Sequence, residues 1–512
     1  MSTMKVIFLC LFLLGSGIRA IDVWRPVDGR VRESWRECDI ASIARNYYRE
    51  GMNLFYPRID WRGDGPGYTE MEFPLYPWLI AILYKIVGFH EILGRILAYL
   101  FSLATMGVFF QLVRYLLPDI GAIAASLFFV LSPLSVRISN SLQPEGLMFL
   151  CYVLAAYAFI RWLDNDSWID YGIAVVATMM AILAKANAAH IGIFFAVILF
   201  WQKGLGVLKR ARIWIFAIVS LLPAILWYRH AHALWLTYGN SLGISNEYHW
   251  IGWDFFTTPT FIVNIGYLDA RYVWMFGGVI IAGIGIVWGK TSRAVRYSLY
   301  WFATVMLYYV IAARTTGELW ATYYHVVSIP PVAILIGAGT EVIAAWTMPV
   351  REQQRCSSLP LEFWRSRWKR ETVFFAIISL LLTVFLQLWQ LKKDVHPMSM
   401  QGKYACALQF AGKIPSNVLI VASGGNSKDE NGYPIAYNAS YFFYWLDRKG
   451  FNIPIEEQSV ENLRAFARRG ARYFIAETWH LHRKPEFEAE LRKNFNVLQE
   501  CRDVLLVQLT TN

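Results

Sequence analysis

The segment from residue 21 to about residue 90 is polar and aromatic, and its carboxylates include Asp39, Asp60, Asp64, Glu70 and Glu72. A segment this charged is not expected to cross a bilayer. Ile40, Ile43, Ala44 and Tyr47 recur at the spacing of one helix face and predict a helix with Asp39 at its N-terminus. The helix dipole favours an ionised carboxylate at that position. Considered alone, Asp39 is better explained as a helix cap than as a proton acceptor.

Two histidines offer a second kind of chemistry, because imidazole nitrogens can ligate a metal ion. His230 and His232 begin a polar and aromatic segment, 230–270, and together with Glu72 they could hold a divalent cation. The three residues lack the close spacing of known zinc motifs, so interfacial packing or hydrogen bonding explains the histidines better. A divalent metal ion is left open as a cofactor, and no other cofactor is predicted.

The elements around these residues are apolar runs long enough for a membrane. The chain has 512 residues, of which 56% are hydrophobic and 17% charged, against about 25% charged in soluble proteins. The apolar runs are 4–18, 91–117, 119–136, 144–163, 168–184, 187–202, 211–229, 271–289, 295–313, 322–346 and 372–391. The sequence therefore predicts a mostly α-helical, polytopic membrane protein with about eleven spans.

The charge pattern predicts an orientation. The formal net charge is +11, but the basic residues concentrate in the loops 202–213, 290–296 and 347–371, as the positive-inside rule expects of cytoplasmic loops. We therefore expect no nucleic-acid partner. The run 4–18 resembles a signal peptide or a short uncleaved span, and we expect the uncleaved span. Either choice leaves outer loop 1, about residues 21–90, on the outer side.

The last part of the chain, 392–512, is predicted to be a soluble α/β domain on the outer side, following a transmembrane domain over 1–391. Strands are expected at 418–423, 471–477 and 504–509, and a helix from 459 to 469 that stops at Gly470. The glycine pair after the first strand favours a tight turn over a phosphate site. Cys406 and Cys501 both fall in this domain, and whether they pair is left open.

Several motifs in their order along the chain resemble the GT-C superfamily of membrane glycosyltransferases. An acid follows the first span, and Glu-Phe-Pro-Leu at 72–75 precedes the second. Gln-Pro-Glu-Gly at 143–146 enters the fourth span, and Tyr-Tyr-His at 323–325 with Ile-Pro at 329–330 lies in a late one. The chain looks most like the bacterial branch related to protein O-mannosyltransferases and lipid A aminoarabinose transferases, over nearly its whole length.

The resemblance implies a reaction. Such enzymes take a sugar from a polyprenyl phosphate with inversion, so the resemblance implies a glycosyltransferase of the cell membrane that acts on a protein, lipid or glycan hydroxyl at the outer face. Asp39 matches the catalytic aspartate and is assigned as general base. Glu72 matches an acid near the site. Glu145 matches a third acid, although a helix N-terminal acid is almost as good an explanation.

The leaving phosphate requires positive charge. The outer-side candidates are Arg58, Arg137, Lys185 and Arg314, with Tyr323 and Tyr324 as further substrate-binding residues. Aminoarabinose transferases usually carry a lysine directly after the loop glutamate, where this chain has Phe73. That departure argues against aminoarabinose as the sugar.

Two other functions are compatible with the same spans. A transporter or lipid flippase would be expected to show matching halves with broken or charged spans, and we find no such repeat. An oligosaccharyltransferase or ligase, which moves a preassembled glycan from a diphosphate carrier, could share the fold and Asp39. The identity of the donor would separate it from a monosaccharide transferase.

Overall fold

The computed structural model of the protein describes residues 3–29, 34–289, 291–347, 369–394, 400–438 and 440–509. Most of the predicted cytoplasmic loop 347–371, and Lys290 in the loop before it, lie outside the described residues. The α-helices are α1 (Thr3–Ala20), α2 (Ser34–Glu50), α3 (Leu75–Val87), α4 (Ile92–Leu116), α5 (Asp119–Leu131), α6 (Pro133–Ser139), α7 (Glu145–Asn165), α8 (Trp168–Ala184), α9 (Ile191–Lys203), α10 (Ala211–Tyr238), α11 (Pro259–Leu268), α12 (Gly277–Trp288), α13 (Arg293–Ile311), α14 (Ala313–Thr316), α15 (Ile329–Thr347), α16 (Lys369–Asp394), α17 (Met400–Ala411), α18 (Ser440–Leu446), α19 (Val460–Arg468), α20 (Thr478–His482) and α21 (Pro485–Asn494). The strands are β1 (Leu419–Ser423), β2 (Lys449–Ile453), β3 (Ala471–Glu477), β4 (Asn496–Cys501) and β5 (Val504–Gln508).

Within the described residues, 7 helices are long and apolar enough to cross a membrane, or up to 9 if each of two bent pairs forms one span. The bend between α5 and α6 is 55°, at a proline that supplies no backbone N–H to the helix. The bend before α12 is 90°. The predicted fold class, a mostly helical membrane protein with a small C-terminal sheet domain, is confirmed. The predicted count of eleven spans is not, because α8 has only 17 residues and α13 is not among the sufficiently apolar helices.

The described residues divide into two compact units. Unit 1 comprises Met1–Val23, Ile96–Ala224 and Trp250–Val395, and unit 2 comprises Trp24–Arg95, Ile225–His249 and His396–Asn512. The C-terminal residues therefore share a unit with outer loop 1. The boundary at 391/392 that the sequence predicts between a membrane domain and a soluble domain stays a prediction.

Unit 1 is a helical bundle with close backbone approaches. A Cβ atom added to Gly337 on α15 would come within 2.5 Å of the carbonyl oxygen of Gly121 on α5, so glycine at both positions lets the two helices pack. The fully buried guanidinium of Arg19 ties α1 into the same bundle through hydrogen bonds to Ser102, Ser135 and the Val130 carbonyl. On α16, large apolar side chains such as Phe375 and Leu381 remain exposed, as a lipid-facing helix requires.

Unit 2 contains one five-stranded sheet in the order β2-β1-β3-β5-β4. β1 pairs in parallel with β2 and β3, while β5 is antiparallel to β3 and β4. The three predicted strands and the predicted helix, α19, are present. Two edge strands were not predicted, because β2 is short and polar and β4 is largely half-exposed. A disulfide joins Cys406 on α17 to Cys501 on β4.

The sheet of unit 2 packs on outer loop 1. Gly450 on β2 exchanges backbone hydrogen bonds with this loop, donating to Asp60 at 3.1 Å and accepting from Gly63 at 2.6 Å. The indole nitrogen of Trp445 donates to the carbonyl of Val27 at 2.6 Å. These contacts hold the loop, including α2, as an ordered part of the unit.

Candidate functional site

Asp39 lies in the second turn of α2 and not at the helix N-terminus. The helix begins at Ser34, because the turn Ser34–Cys38 is already helical and buried. The prediction that Asp39 lies at the N-terminus of this helix is therefore wrong, and the helix dipole does not control its charge, since that field is significant only in the first turn.

Burial controls the Asp39 carboxyl instead. Its Oδ1 accepts a hydrogen bond from the indole nitrogen of Trp61 at 2.9 Å. Its Oδ2 is buried and accepts no hydrogen bond from the part of the chain that the structure describes. Burial raises the pKa of Asp39 to about 7, while the hydrogen bond from Trp61 and the charge of Arg36 act in the opposite direction. A carboxyl with this pKa can both take up and release a proton near neutral pH.

The loop acid Glu72 is held next to α2 through an ion pair with Arg36. Both side chains are largely buried, and Arg36 lies three residues before Asp39 on the same face of the helix. Arg36 therefore links the two acids that the sequence singles out. We call Arg36, Asp39, Trp61 and Glu72 the Asp39 cluster.

Two further ion pairs position the Asp39 cluster. Arg45 of α2 contacts Asp60 at 2.6 Å, and Asn46 donates to the other Asp60 oxygen at 2.8 Å. Because Trp61 directly follows Asp60, this contact helps to fix the indole that reaches Asp39. Glu37 of α2 pairs with Arg95 at 3.0 Å, with both side chains almost fully buried.

The metal-binding hypothesis finds no geometric support. The ring of His232 contacts Glu70 at 3.2 Å, and His230 is hydrogen-bonded to the carbonyl of Phe55 at 2.8 Å. Glu72, the third candidate ligand, is paired with Arg36. Across the described ranges, no group of three His, Cys, Asp or Glu side chains is arranged to hold a metal ion.

A second cluster forms within unit 1 around Lys185. Its ammonium group is ion-paired with Glu145 and lies 4.7 Å from the ring centre of Tyr323 and 5.0 Å from that of Tyr324. We call Glu145, Lys185, Tyr323 and Tyr324, together with Asn187, the Lys185 cluster. Sequence positions almost 180 residues apart thus meet at one cation.

Breaks in regular helices create this cluster. Lys185 is the C-terminal cap of α8, where the chain changes to a 3₁₀ turn over Ala186–His190. Glu145 is the first residue of α7, and both tyrosines belong to the 3₁₀ segment Thr322–Ser328. Side chains at such breaks can converge in a way that a continuous helix does not allow.

The other predicted cations have different surroundings. Arg137 donates to the hydroxyl of Thr322 at 2.7 Å, so it lies next to the tyrosine segment. Arg314 is paired with Glu318 at 2.5 Å, one helical turn away. Arg58, in unit 2, donates to the Glu50 carbonyl and to the hydroxyl of Tyr68. Arg58 and Arg314 thus have local partners outside the two clusters.

Sequence reasoning missed three functional candidates. Arg36 and Trp61 contact the acids of the Asp39 cluster, yet a basic and an aromatic residue in a loop rich in both carry no distinguishing signal. Asn187 follows Lys185 by two residues and donates to the hydroxyl of Tyr308 at 3.0 Å. Its position two residues after a lysine at the end of a predicted span was the signal that could have identified it.

Comparison with known proteins supplies the context for both clusters. Residues 66–228 match the family model described as dolichyl-phosphate-mannose-protein mannosyltransferase. No curated protein sequence matches the chain. Among solved structures the chain is similar to ArnT from Cupriavidus metallidurans, with a TM-score of 0.62 and 13% identity over 99% of this chain and 98% of that one.

Two other solved structures share the architecture. An oligosaccharyltransferase from Archaeoglobus fulgidus matches with a TM-score of 0.56 and 12% identity, over 96% of this chain and 72% of that one. The arabinofuranosyltransferase AftD from Mycobacteria matches with a TM-score of 0.52 and 11% identity, over 100% of this chain and 40% of that one. At these identities the similarity concerns the fold.

Proposed function

Because this chain is a multi-pass membrane protein with the fold of the GT-C glycosyltransferases, we propose that it transfers a monosaccharide from a polyprenyl-phosphate carrier to a hydroxyl group. The observation that carries the proposal is the buried Asp39 carboxyl, whose Oδ2 accepts no hydrogen bond from the described residues, at the position expected for the catalytic base. The similarity in fold to ArnT bound to undecaprenyl phosphate supports the choice of carrier.

Asp39 acts as the general base in this proposal. The acceptor hydroxyl must lose its proton as its oxygen attacks the anomeric carbon. Oδ2 of Asp39 accepts no hydrogen bond from the described residues, so its lone pairs are available for that proton. General-base catalysis of this kind contributes about 10²- to 10⁴-fold, and it is most efficient when the pKa lies near the working pH. The pKa of about 7 meets that condition. Arg36, fixed by Glu72, positions the acids and limits the rise of the pKa.

Lys185 neutralises the departing phosphate. Its ammonium group has three N–H donors, so it can contact a phosphate oxygen while it keeps its ion pair with Glu145, whereas Arg314 lies outside this cluster and is paired with Glu318. A preorganised cation at a developing negative charge is often the largest catalytic contribution. Arg137, next to the tyrosine segment, adds positive charge to the same unit.

The reaction is assigned to the outer face of the cell membrane. The disulfide between Cys406 and Cys501 supports an oxidising environment for unit 2. The basic loop 202–213, predicted to be cytoplasmic, agrees with this orientation. The acceptor class is a hydroxyl on a protein, a lipid or a glycan.

The Asp39→Asn variant tests the proposal. Purified full-length protein is reconstituted in vesicles with a radiolabelled polyprenyl-phosphate sugar and an extract of envelope acceptors. We expect wild-type protein to transfer label and the variant to lose about 10²- to 10⁴-fold in kcat. Asp64→Asn, at an exposed acid paired with Arg469, is the matched control and should keep activity. Full activity of Asp39→Asn would contradict the assignment of Asp39 as the general base.

A diphosphate-linked glycan is the second candidate donor, since the chain also shares its fold with an oligosaccharyltransferase. Supplying the two donor types side by side separates the alternatives: label from the monophosphate donor supports the first, and label from the diphosphate donor alone supports the second. Movement of lipid or solute without a glycosylated product would instead indicate a transporter or flippase.

A further inference from the structure

Two acceptor oxygens of the Lys185 cluster have no hydrogen-bond donor among the described residues. Glu145 uses Oε1 for Lys185, whereas its Oε2 is buried without a partner. Asn187 uses its amide nitrogen for Tyr308, whereas its Oδ1 is also buried without a partner. Buried polar atoms are normally hydrogen-bonded, so two unsatisfied acceptors in one cluster suggest a missing donor.

The two oxygens belong to one connected group of side chains. Glu145 is ion-paired with Lys185, and Asn187 is hydrogen-bonded to Tyr308. The Glu145 carboxylate also interacts electrostatically with the hydroxyls of Tyr308 and Tyr324. Glu145 is only 2% exposed, while the side chains at 185–187 are partly exposed and give access to the group.

We propose that Glu145 and Asn187 bind hydroxyl groups of the donor sugar, and that this sugar is neutral. The inference rests on the proposed function. A sugar hydroxyl is a donor that an unsatisfied carboxylate or amide oxygen can accept, and adjacent hydroxyls on one ring can satisfy two acceptors. Tyr323 and Tyr324 offer ring faces next to the same lysine.

The charges of the cluster exclude an amino sugar as its preferred ligand. Glu145 and Lys185 neutralise each other. An ammonium group on the sugar would have to share the Glu145 carboxylate with Lys185 at short range, and two like charges at such a distance repel each other. A neutral hexose or pentose meets no such penalty and leaves Lys185 available for the carrier phosphate.

The test measures binding, so that it does not depend on turnover. Full-length protein in lipid nanodiscs is titrated with three probes: bare polyprenyl phosphate, the same carrier bearing a neutral hexose, and the carrier bearing a 4-amino-pentose. We expect the neutral-sugar carrier to bind more tightly than either other probe. Asn187→Ala should weaken binding of the neutral-sugar carrier relative to the bare carrier by about 2- to 10-fold, the range expected for the loss of one net hydrogen bond.

A matched variant separates ligand binding from structural support. Tyr308→Phe removes the same hydrogen bond between Asn187 and Tyr308 but keeps the Asn187 oxygen, so it should retain the preference for the neutral sugar. Asn187→Asp adds a negative charge and should shift the preference towards the amino sugar. A Tyr308→Phe variant that loses the preference as fully as Asn187→Ala would overturn the inference.

The outcomes also distinguish this inference from the proposed function. If none of the three carriers binds wild-type protein, the proposed function itself fails. If the carriers bind equally whether or not they bear a sugar, or if the amino sugar is preferred, the proposed function stands and the assignment of Glu145 and Asn187 fails.

Discussion

The Asp39 and Lys185 clusters each contain a buried carboxylate, but the clusters differ in whether a cation is paired directly with it. In unit 2 the buried cations Arg36, Arg45 and Arg95 each pair with another acid, while Oδ1 of Asp39 accepts a hydrogen bond from the indole of Trp61. In unit 1 the buried Glu145 is paired directly with Lys185. The first arrangement leaves a carboxyl whose proton can move near neutral pH. The second keeps a largely buried lysine charged through its pair with a carboxylate.

This difference separates two requirements of a group transfer. A base must be able to gain a proton, which a strong permanent ion pair would prevent by keeping the carboxylate ionised. A phosphate-binding cation must stay charged in a buried place, and a nearby carboxylate ensures that before the substrate arrives. The following variants break or sharpen the contrast, beginning with the largest expected effect.

The ion pairs around the Asp39 cluster should be needed for folding. Asp60→Asn removes the buried one of two carboxylates that pair with Arg45, the other being Asp447, and breaking a buried pair typically costs about 3–5 kcal/mol. Denaturant titration in detergent, followed by tryptophan fluorescence, measures the loss. Asp64→Asn, whose ion pair with Arg469 is about half-exposed, should cost less than about 1 kcal/mol. Equal losses in the two variants would contradict the distinction between the pairs.

Lys185 should be needed for the reaction as well as for the stability of its buried pair with Glu145. Lys185→Gln removes the cation and should lower kcat by about 10²- to 10³-fold, the effect of deleting one electrostatic contact to a developing anion. Lys185→Arg keeps the charge and should recover most of the activity. Single-turnover kinetics with a labelled carrier check this. A normal kcat in Lys185→Gln would show that Lys185 has no role in the reaction and that its pair with Glu145 serves only the structure.

The ionised Asp39 carboxylate should lower the free energy of unfolding at alkaline pH. Its folded pKa of about 7 exceeds the ordinary aspartate pKa of 3.8, so the folded state binds the proton more tightly than the unfolded state does. Stability therefore falls as pH rises between these values and stays low above about 7. Asp39→Asn should be more stable than wild type at pH 8, by on the order of 1–4 kcal/mol, with little difference at pH 4.

Denaturant titrations at the two pH values measure this effect. They also control the activity test, because a variant that is inactive yet more stable at pH 8 is not misfolded. If the variant were less stable than wild type at pH 8, the Asp39 carboxyl would not carry the proposed burial penalty.

Trp61 should set the pH at which the base works. Activity should rise with pH through about 7, because only the ionised Asp39 can accept a proton. Trp61→Phe removes a hydrogen bond that lowers the pKa of Asp39, so the rise should move to higher pH, by about one unit. The pH dependence of kcat/KM checks this. A pH profile unchanged from wild type would place the titrating group elsewhere.

Local sequence information was sufficient for the mostly helical membrane fold, though not for the number of spans, and for the main elements of the C-terminal sheet. β1, β3 and β5 are short apolar runs, and α19 begins at Ser459, whose side chain caps the helix. Such signals lie within a few residues of one another, so no distant contact is needed to recognise them. The predicted position of Asp39 at the N-terminus of α2 was wrong, because the helix starts one turn earlier. That first turn, Ser34–Cys38, is polar in sequence and shows no apolar periodicity, although most of it is buried in the structure.

The sequence by itself determined that the chain lies in a membrane, that the segment 21–90 carries the acids, and that the order of its motifs resembles a GT-C enzyme. Only the tertiary structure decided the partners of the charged side chains: Arg36 with Glu72, Trp61 with Asp39, and Lys185 with Glu145. The reason is physical. Apolar periodicity acts over neighbouring residues, whereas the protonation and pairing of a buried charge depend on desolvation and on contacts far apart in the chain.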